Sequence, residues 1–139
     1  SSNDFLLKLI SGSMPACPKI HMGYIDVRDV AKAHIFSMTE EKTNGERIIV
    51  SENEMFFAEV GKTLNEAGFK KSPTKEMPNF LVKIMSLFVG ELKTLLSALN
   101  RKGDIDKTKA KSFFNWDYIS TEQSVTETAQ QLQDMGLTK

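Results

Sequence analysis

The chain is 139 residues long, enough for one domain with its own core. Its 18 basic and 18 acidic side chains cancel, so no charged surface marks it for nucleic acid or an anionic membrane. A single cysteine, Cys17, excludes an internal disulfide framework and, with no signal peptide visible, points to a reducing, cytoplasmic setting.

In chain order, Asn3 is placed to cap a helix carrying Phe5, Leu6, Leu9 and Ile10 on one face, stopped near Gly12. Pro15 and Pro18 make residues 11–20 a loop. An extended piece around Tyr24 leads to a helix capped by Asp26. Val27, Val30, Ala31, His34 and Met38 form its apolar face. Asn44-Gly45 marks a turn. Arg47-Ile48-Ile49-Val50 reads as a strand whose apolar run suits a buried parallel position.

Ser51 and Glu54 have capping-box spacing ahead of a helix bearing Phe56, Phe57, Val60 and Leu64, with Gly68 as its stop. Pro78 suits the first turn of a longer helix on Leu81, Ile84, Met85, Phe88, Leu92, Leu95 and Leu99, bent at Gly90 and ended by Gly103. Residues 80–99 are the longest apolar-rich stretch, but Lys83, Glu91 and Lys93 interrupt it, so it is not a membrane span. A short strand near Ile105, a helix through Ala110 and Phe114, and a final helix opened by Ser120 and Gln123 complete the chain.

The chemistry-bearing residues are sparse. None of the eight glycines forms the glycine-rich turn that lets a backbone approach a pyrophosphate. Cys17 and His21 have a ligand-like spacing, but no third and fourth ligand accompany them, so no metal site is assigned. His34, on the apolar face of its helix without a nucleophile or carboxylate pattern, reads as a packing residue. Asp26, Arg28 and Asp29 read as architecture: a cap, an ion pair and an acidic residue at a helix start. Met77, Phe80, Met85, Phe88, Phe113, Phe114 and Trp116 are mostly core candidates.

The run Tyr24-Ile25-Asp26-Val27-Arg28-Asp29-Val30-Ala31 resembles a segment of the extended short-chain dehydrogenase/reductases that enters a helix. Residues 106–116, from Asp106 through Lys109-Ala110 to Asn115-Trp116, resemble the family's C-terminal aspartate-x-x-lysine-alanine element, with Asn115 where glycine is usual. Residues 124–129 and Met135-Gly136-Leu137 resemble the closing helix of its dihydroflavonol reductase-like branch, within the epimerase-dehydratase superfamily. The likeness covers nearly the whole chain but only the family's C-terminal part.

That resemblance implies an α/β fold class: a C-terminal fragment of an extended Rossmann-type fold, helix-rich with few short strands. Residues 1–139 would be a single substrate-side region without the N-terminal nucleotide-binding half. The family's reaction uses a tyrosine with a lysine four residues later; Arg28 follows Tyr24 at that spacing and Glu122 follows Tyr118. No catalytic or cofactor-binding residue is therefore expected here. NAD(P)H is expected for the parent enzyme and not for this chain alone, with a ketone or aldehyde as substrate.

The family's C-terminal part supplies the substrate cleft, and Met22, Tyr24, Met77 and Phe80 are the residues expected to line it. Nucleotide-sugar epimerases carry a phosphate-gripping arginine where this chain has Met22, and a thioether cannot bind phosphate in that way. A part of such an epimerase or dehydratase is one alternative reading; a stand-alone binding domain is another. The faces around Phe5 and Leu9, residues 27–38 and residues 47–50 are expected to meet the missing half. By itself the chain is then expected to form a homodimer.

Overall fold

The structure, a computed structural model, describes residues 2–87, 93 and 96–138. Among the described residues six α-helices are seen: α1 (Ser2–Ile10), α2 (Val27–Thr39), α3 (Phe57–Glu66), α4 (Asn79–Met85), α5 (Thr108–Phe113) and α6 (Thr121–Asp134). Four short strands accompany them: β1 (Cys17–Pro18), β2 (His21–Tyr24), β3 (Asn53–Phe56) and β4 (Glu76–Met77). β1 pairs with β4 in parallel and β2 with β3 antiparallel, Met22 opposite Met55 and Tyr24 opposite Asn53.

Local chemistry explains several helix ends. Asp26 caps α2 by accepting the Arg28 N–H at 2.8 Å, and Ser120 caps α6 by accepting the Gln123 N–H at 3.2 Å. α3 ends where Gly68 adopts a φ of +110°. There the Phe69 N–H reaches back to the Leu64 carbonyl at 3.0 Å, satisfying an end carbonyl.

The main core lies among α1, α3 and α6, with β1 and β3 at its edge. Leu9, Val60, Leu64 and Ala129 are fully buried there. Phe5 stacks on Phe57 with ring centroids 4.3 Å apart. Gly61 lets α3 lie close to the chain at Pro73: a Cβ at Gly61 would overlap the Pro73 carbonyl oxygen and sit 3.8 Å from the Cys17 sulfur. A second cluster joins α2 to α5 through Ala33, Ala110 and Phe114, with Ile48, Val50 and Trp116 packed against it.

Several elements differ from the sequence reading. Residues 47–50 alternate between half-buried Ile48 and Val50 and exposed Arg47 and Ile49, but join no ladder among the described residues; the strand is Asn53–Phe56 instead. The reason is partnership: β2 offers its edge to residues 53–56, and nothing described offers one to residues 47–50. Ser51 and Glu54 consequently do not cap α3. Its entry is held by the Glu59 carboxylate, which accepts the Phe56 N–H at 2.6 Å. Ile105 lies in a loop with its side chain over Gly23, and it joins no ladder among the described residues.

The helix after Pro78 spans only Asn79–Met85. A short turn covers Leu96–Ala98, and Phe88, Gly90, Leu92 and Leu95 lie outside the described residues. Asn3 falls inside α1 rather than ahead of it. The Phe5–Leu9 face is buried within this chain, because α6 and α3 cover it.

The buried side of α2 is Asp29 and Ala33, while Val27 and Met38 stand exposed at 77% and 85%. His34 is exposed too, its Nδ1 2.8 Å from the Val30 carbonyl of its own helix, so it is not a packing residue here. The neighbours of α2, namely α5 and residues 48–50, lie on its other side.

Candidate functional site

The motif residues at the start of α2 meet the end of the chain. The Arg28 guanidinium donates to both oxygens of Asp26, through Nε at 2.9 Å and Nη2 at 2.8 Å, and to Glu127 on α6 at 2.7 Å. This fork holds the buried Asp26 carboxyl well below the usual carboxylate range, although burial pulls the other way. Glu127 is lowered as well, first by the Gln123 amide and then by Arg28. The buried Asp29 accepts the Ile119 N–H at 2.8 Å just before α6.

The second motif completes this framework. Asp106 accepts the Thr108 N–H at 2.9 Å and so stabilises the entry to α5, and Ala110 is buried beneath it. Lys107 donates to the Glu52 carbonyl at 2.9 Å and lies 3.0 Å from a Glu54 oxygen. The Glu52 carboxylate in turn accepts the N–H and the hydroxyl of Thr121, at 2.8 and 2.6 Å. Glu52 escaped the sequence reading because its partner is 69 residues away and no local pattern marks it.

The four residues expected to line a substrate cleft lie on three elements, Met22 and Tyr24 on β2, Met77 in β4 and Phe80 in α4. Met22 is half exposed on β2, and Phe80 stands out from the first turn of α4 at 63% exposure. Met77 is buried in β4 opposite Pro18. Tyr24 turns toward the main core, with its hydroxyl buried and without a hydrogen-bond partner among the described residues. Burial first, then Cys17 and Glu59, push that hydroxyl above its ordinary range, the opposite of what proton transfer near neutral pH requires.

Two of the clefts among the described residues are lined by none of those four. One, of roughly 510 Å³, lies by the β2–β3 ribbon between His21, Glu54, Phe56, Glu59 and residues 102–104. The other, of roughly 340 Å³, runs between α2 at Val30, Ala33, His34 and Ser37 and the segment 43–50. Strand alternation explains the first: His21 and Gly23 share one face of β2, and Met22 and Tyr24 the other.

Among the described residues no three His, Cys, Asp or Glu side chains gather as a metal site requires. Cys17 is fully buried, and burial pushes its thiol up to about 11.

No family model matches the chain. Over 115 residues, 83% of its length, the chain is 30% identical to the NADPH-dependent methylglyoxal reductase GRE2 of Saccharomyces cerevisiae, of which the match covers 30%. The crystal structure of yeast methylglyoxal/isovaleraldehyde reductase Gre2 complexed with NADPH is similar with a TM-score of 0.67 at 26% identity. That match covers 96% of this chain and 39% of the solved one. The crystal structure of gox2253 reaches a TM-score of 0.75 at 17% identity, covering 99% and 45% of the two chains, a likeness of fold alone. The chain thus spans less than half the length of each of these relatives. The two sequence motifs, the Rossmann-type relatives and the architecture agree that the chain belongs to the extended short-chain dehydrogenase/reductases and carries the C-terminal part of their sequence.

Proposed function

We propose that these residues form the substrate-side region of an NADPH-dependent carbonyl reductase acting on a small, largely apolar ketone or aldehyde. The observation that carries this reading is the 30% identity to a methylglyoxal reductase over 83% of the chain. The NADPH held by the similar yeast reductase supports the choice of cofactor. NADPH would supply the hydride, and a tyrosine outside these residues the proton.

Within the chain, the role is positioning. The Asp26–Arg28–Glu127 and Glu52–Thr121 contacts lock β2, α2 and α6 together, and this gives Met22 a rigid base. A thioether there favours an apolar carbonyl compound over a nucleotide sugar, whose phosphates need a cationic fork.

The test is direct. The purified chain, titrated with NADPH and offered methylglyoxal and isovaleraldehyde, is expected to bind no cofactor at micromolar concentration and to oxidise none. The same residues joined to a segment bearing the glycine-rich turn and the tyrosine-lysine pair are expected to turn both aldehydes over. Tight binding of a UDP-sugar to that longer protein would replace this reading with an epimerase or dehydratase.

A further inference from the structure

Alternation along β2 sends His21 and Gly23 to one side of the β2–β3 ribbon and Met22 and Tyr24 to the other. The side carrying Gly23 is backed by the segment 101–109, in which Ile105 and Lys107 are the side chains that are not exposed. Ile105 lies over Gly23. A Cβ at that glycine would overlap the end methyl of Ile105 and sit 2.9 Å from the Ser51 hydroxyl oxygen. The backbone of Gly23 is not left-handed, so space and not conformation calls for a glycine here. Lys107 lies 3.0 Å from a carboxylate oxygen of Glu54, the residue opposite Gly23 in the ladder, and donates to the Glu52 carbonyl at 2.9 Å.

We propose that Gly23 is a positioning residue: a seat that Ile105 fills from behind, so that β2 holds Met22, on the opposite side, in a fixed place against the substrate. The inference rests on the reductase reading and adds to it a pair of residues that touch no substrate. A glycine inside a strand weakens it, and what it offers in return is the close approach of another group. Here that approach is an apolar contact on one strand beside an ion pair on the other, and together they pin the ribbon from one side. Met22 itself stands half exposed opposite the buried Met55, so its place depends on the strand that carries it.

The test compares Gly23→Val with the exchange Gly23→Val/Ile105→Ala. Valine suits a strand but fills the seat, and the exchange gives back at residue 105 the volume that valine adds at residue 23. In the chain itself the Met22 methyl resonance is followed by carbon–proton NMR, with circular dichroism confirming that each variant folds. Gly23→Val is expected to move that resonance and the exchange to return it. Ile105→Ala, which empties the seat without altering β2, is expected to move it as well.

In the longer reductase, Gly23→Val is expected to raise KM for isovaleraldehyde roughly fivefold or more with kcat changed less than about twofold, and the exchange to restore KM. Methylglyoxal has less apolar surface to meet Met22 and is expected to change less. A wild-type longer protein that reduces neither aldehyde would overturn the reductase reading, and the Met22 resonance would still decide the seat. A resonance that neither Gly23→Val nor Ile105→Ala moves would overturn the proposal. So would a shift that the exchange does not return, or a fall in kcat for both aldehydes with KM unchanged.

Discussion

Glu52 and Thr121, 69 residues apart, are joined by two hydrogen bonds to a single carboxylate oxygen: the Thr121 N–H at 2.8 Å and its hydroxyl at 2.6 Å. Thr121 is the first residue of α6 and is buried, so Glu52 supplies an acceptor at a helix start whose amides have no partner within the helix. Glu52→Ala leaves both donors buried and unpaired. It is expected to lower stability by about 2–3 kcal/mol, read by urea unfolding. A loss below about 0.5 kcal/mol would mean that water replaces the carboxylate fully.

Acid should loosen the other tie between α2 and α6. Asp26 and Glu127 both have depressed folded-state values. Each therefore contributes stability that is present above its unfolded pKa, near 4, and lost as pH falls through the folded value. Melting temperature is expected to hold from neutral pH down to about 5 and to fall below about 4. Asp26→Asn keeps a capping oxygen but loses the charge. It should cost about 1–2 kcal/mol at pH 7 and flatten the acid limb. An acid limb as steep in Asp26→Asn as in the wild type would place the titration elsewhere.

Cys17 contributes to the alkaline behaviour, beside the raised Tyr24 hydroxyl. Its thiol is pushed up to about 11 by burial. A raised folded value means stability that is whole below the unfolded pKa of about 8.5 and lost as pH rises toward the folded one. Unfolding measured from pH 8 upward should show that decline, and Cys17→Ala should remove its cysteine-dependent part. Thiol reagents at pH 8 are expected to modify Cys17 only as fast as the chain opens. Immediate labelling of the folded protein would contradict this.

Met77 and Phe80 separate packing from surface. They are three residues apart, with Met77 buried and Phe80 exposed at 63%. Met77→Ala should cost about 2 kcal/mol or more, whereas Phe80→Ala should change stability by about 0.5 kcal/mol or less. Denaturant midpoints of the two variants decide it. If Phe80→Ala nevertheless lowers aldehyde turnover in the longer enzyme, Phe80 acts on the substrate and not on the fold.

Sequence by itself determined what is local. Asp26, Ser120 and Gly68 mark helix ends because a cap needs only a side chain or a left-handed residue within a few positions. The apolar spacing of Leu6, Leu9 and Ile10, and of Val60 and Leu64, located the buried faces of α1 and α3. The family was legible for the same reason: its two motifs are compact runs, and the structure shows them as the joints between α2, α5 and α6.

Only the tertiary structure decided what depends on a distant partner. Local pattern made residues 47–50 a strand and residues 51–56 the approach to a helix, but the edge of β2 paired with 53–56 instead. Periodicity marked an apolar face on α2, but not that Asp29 and Ala33 would be buried while Val27 and Met38 stayed outside. Glu52 gave no local sign of its bond to Thr121. The physical reason is common to all three. A helix closes its hydrogen bonds within one segment, whereas a strand, a buried face or a shared carboxylate is defined by whichever remote chain comes to meet it.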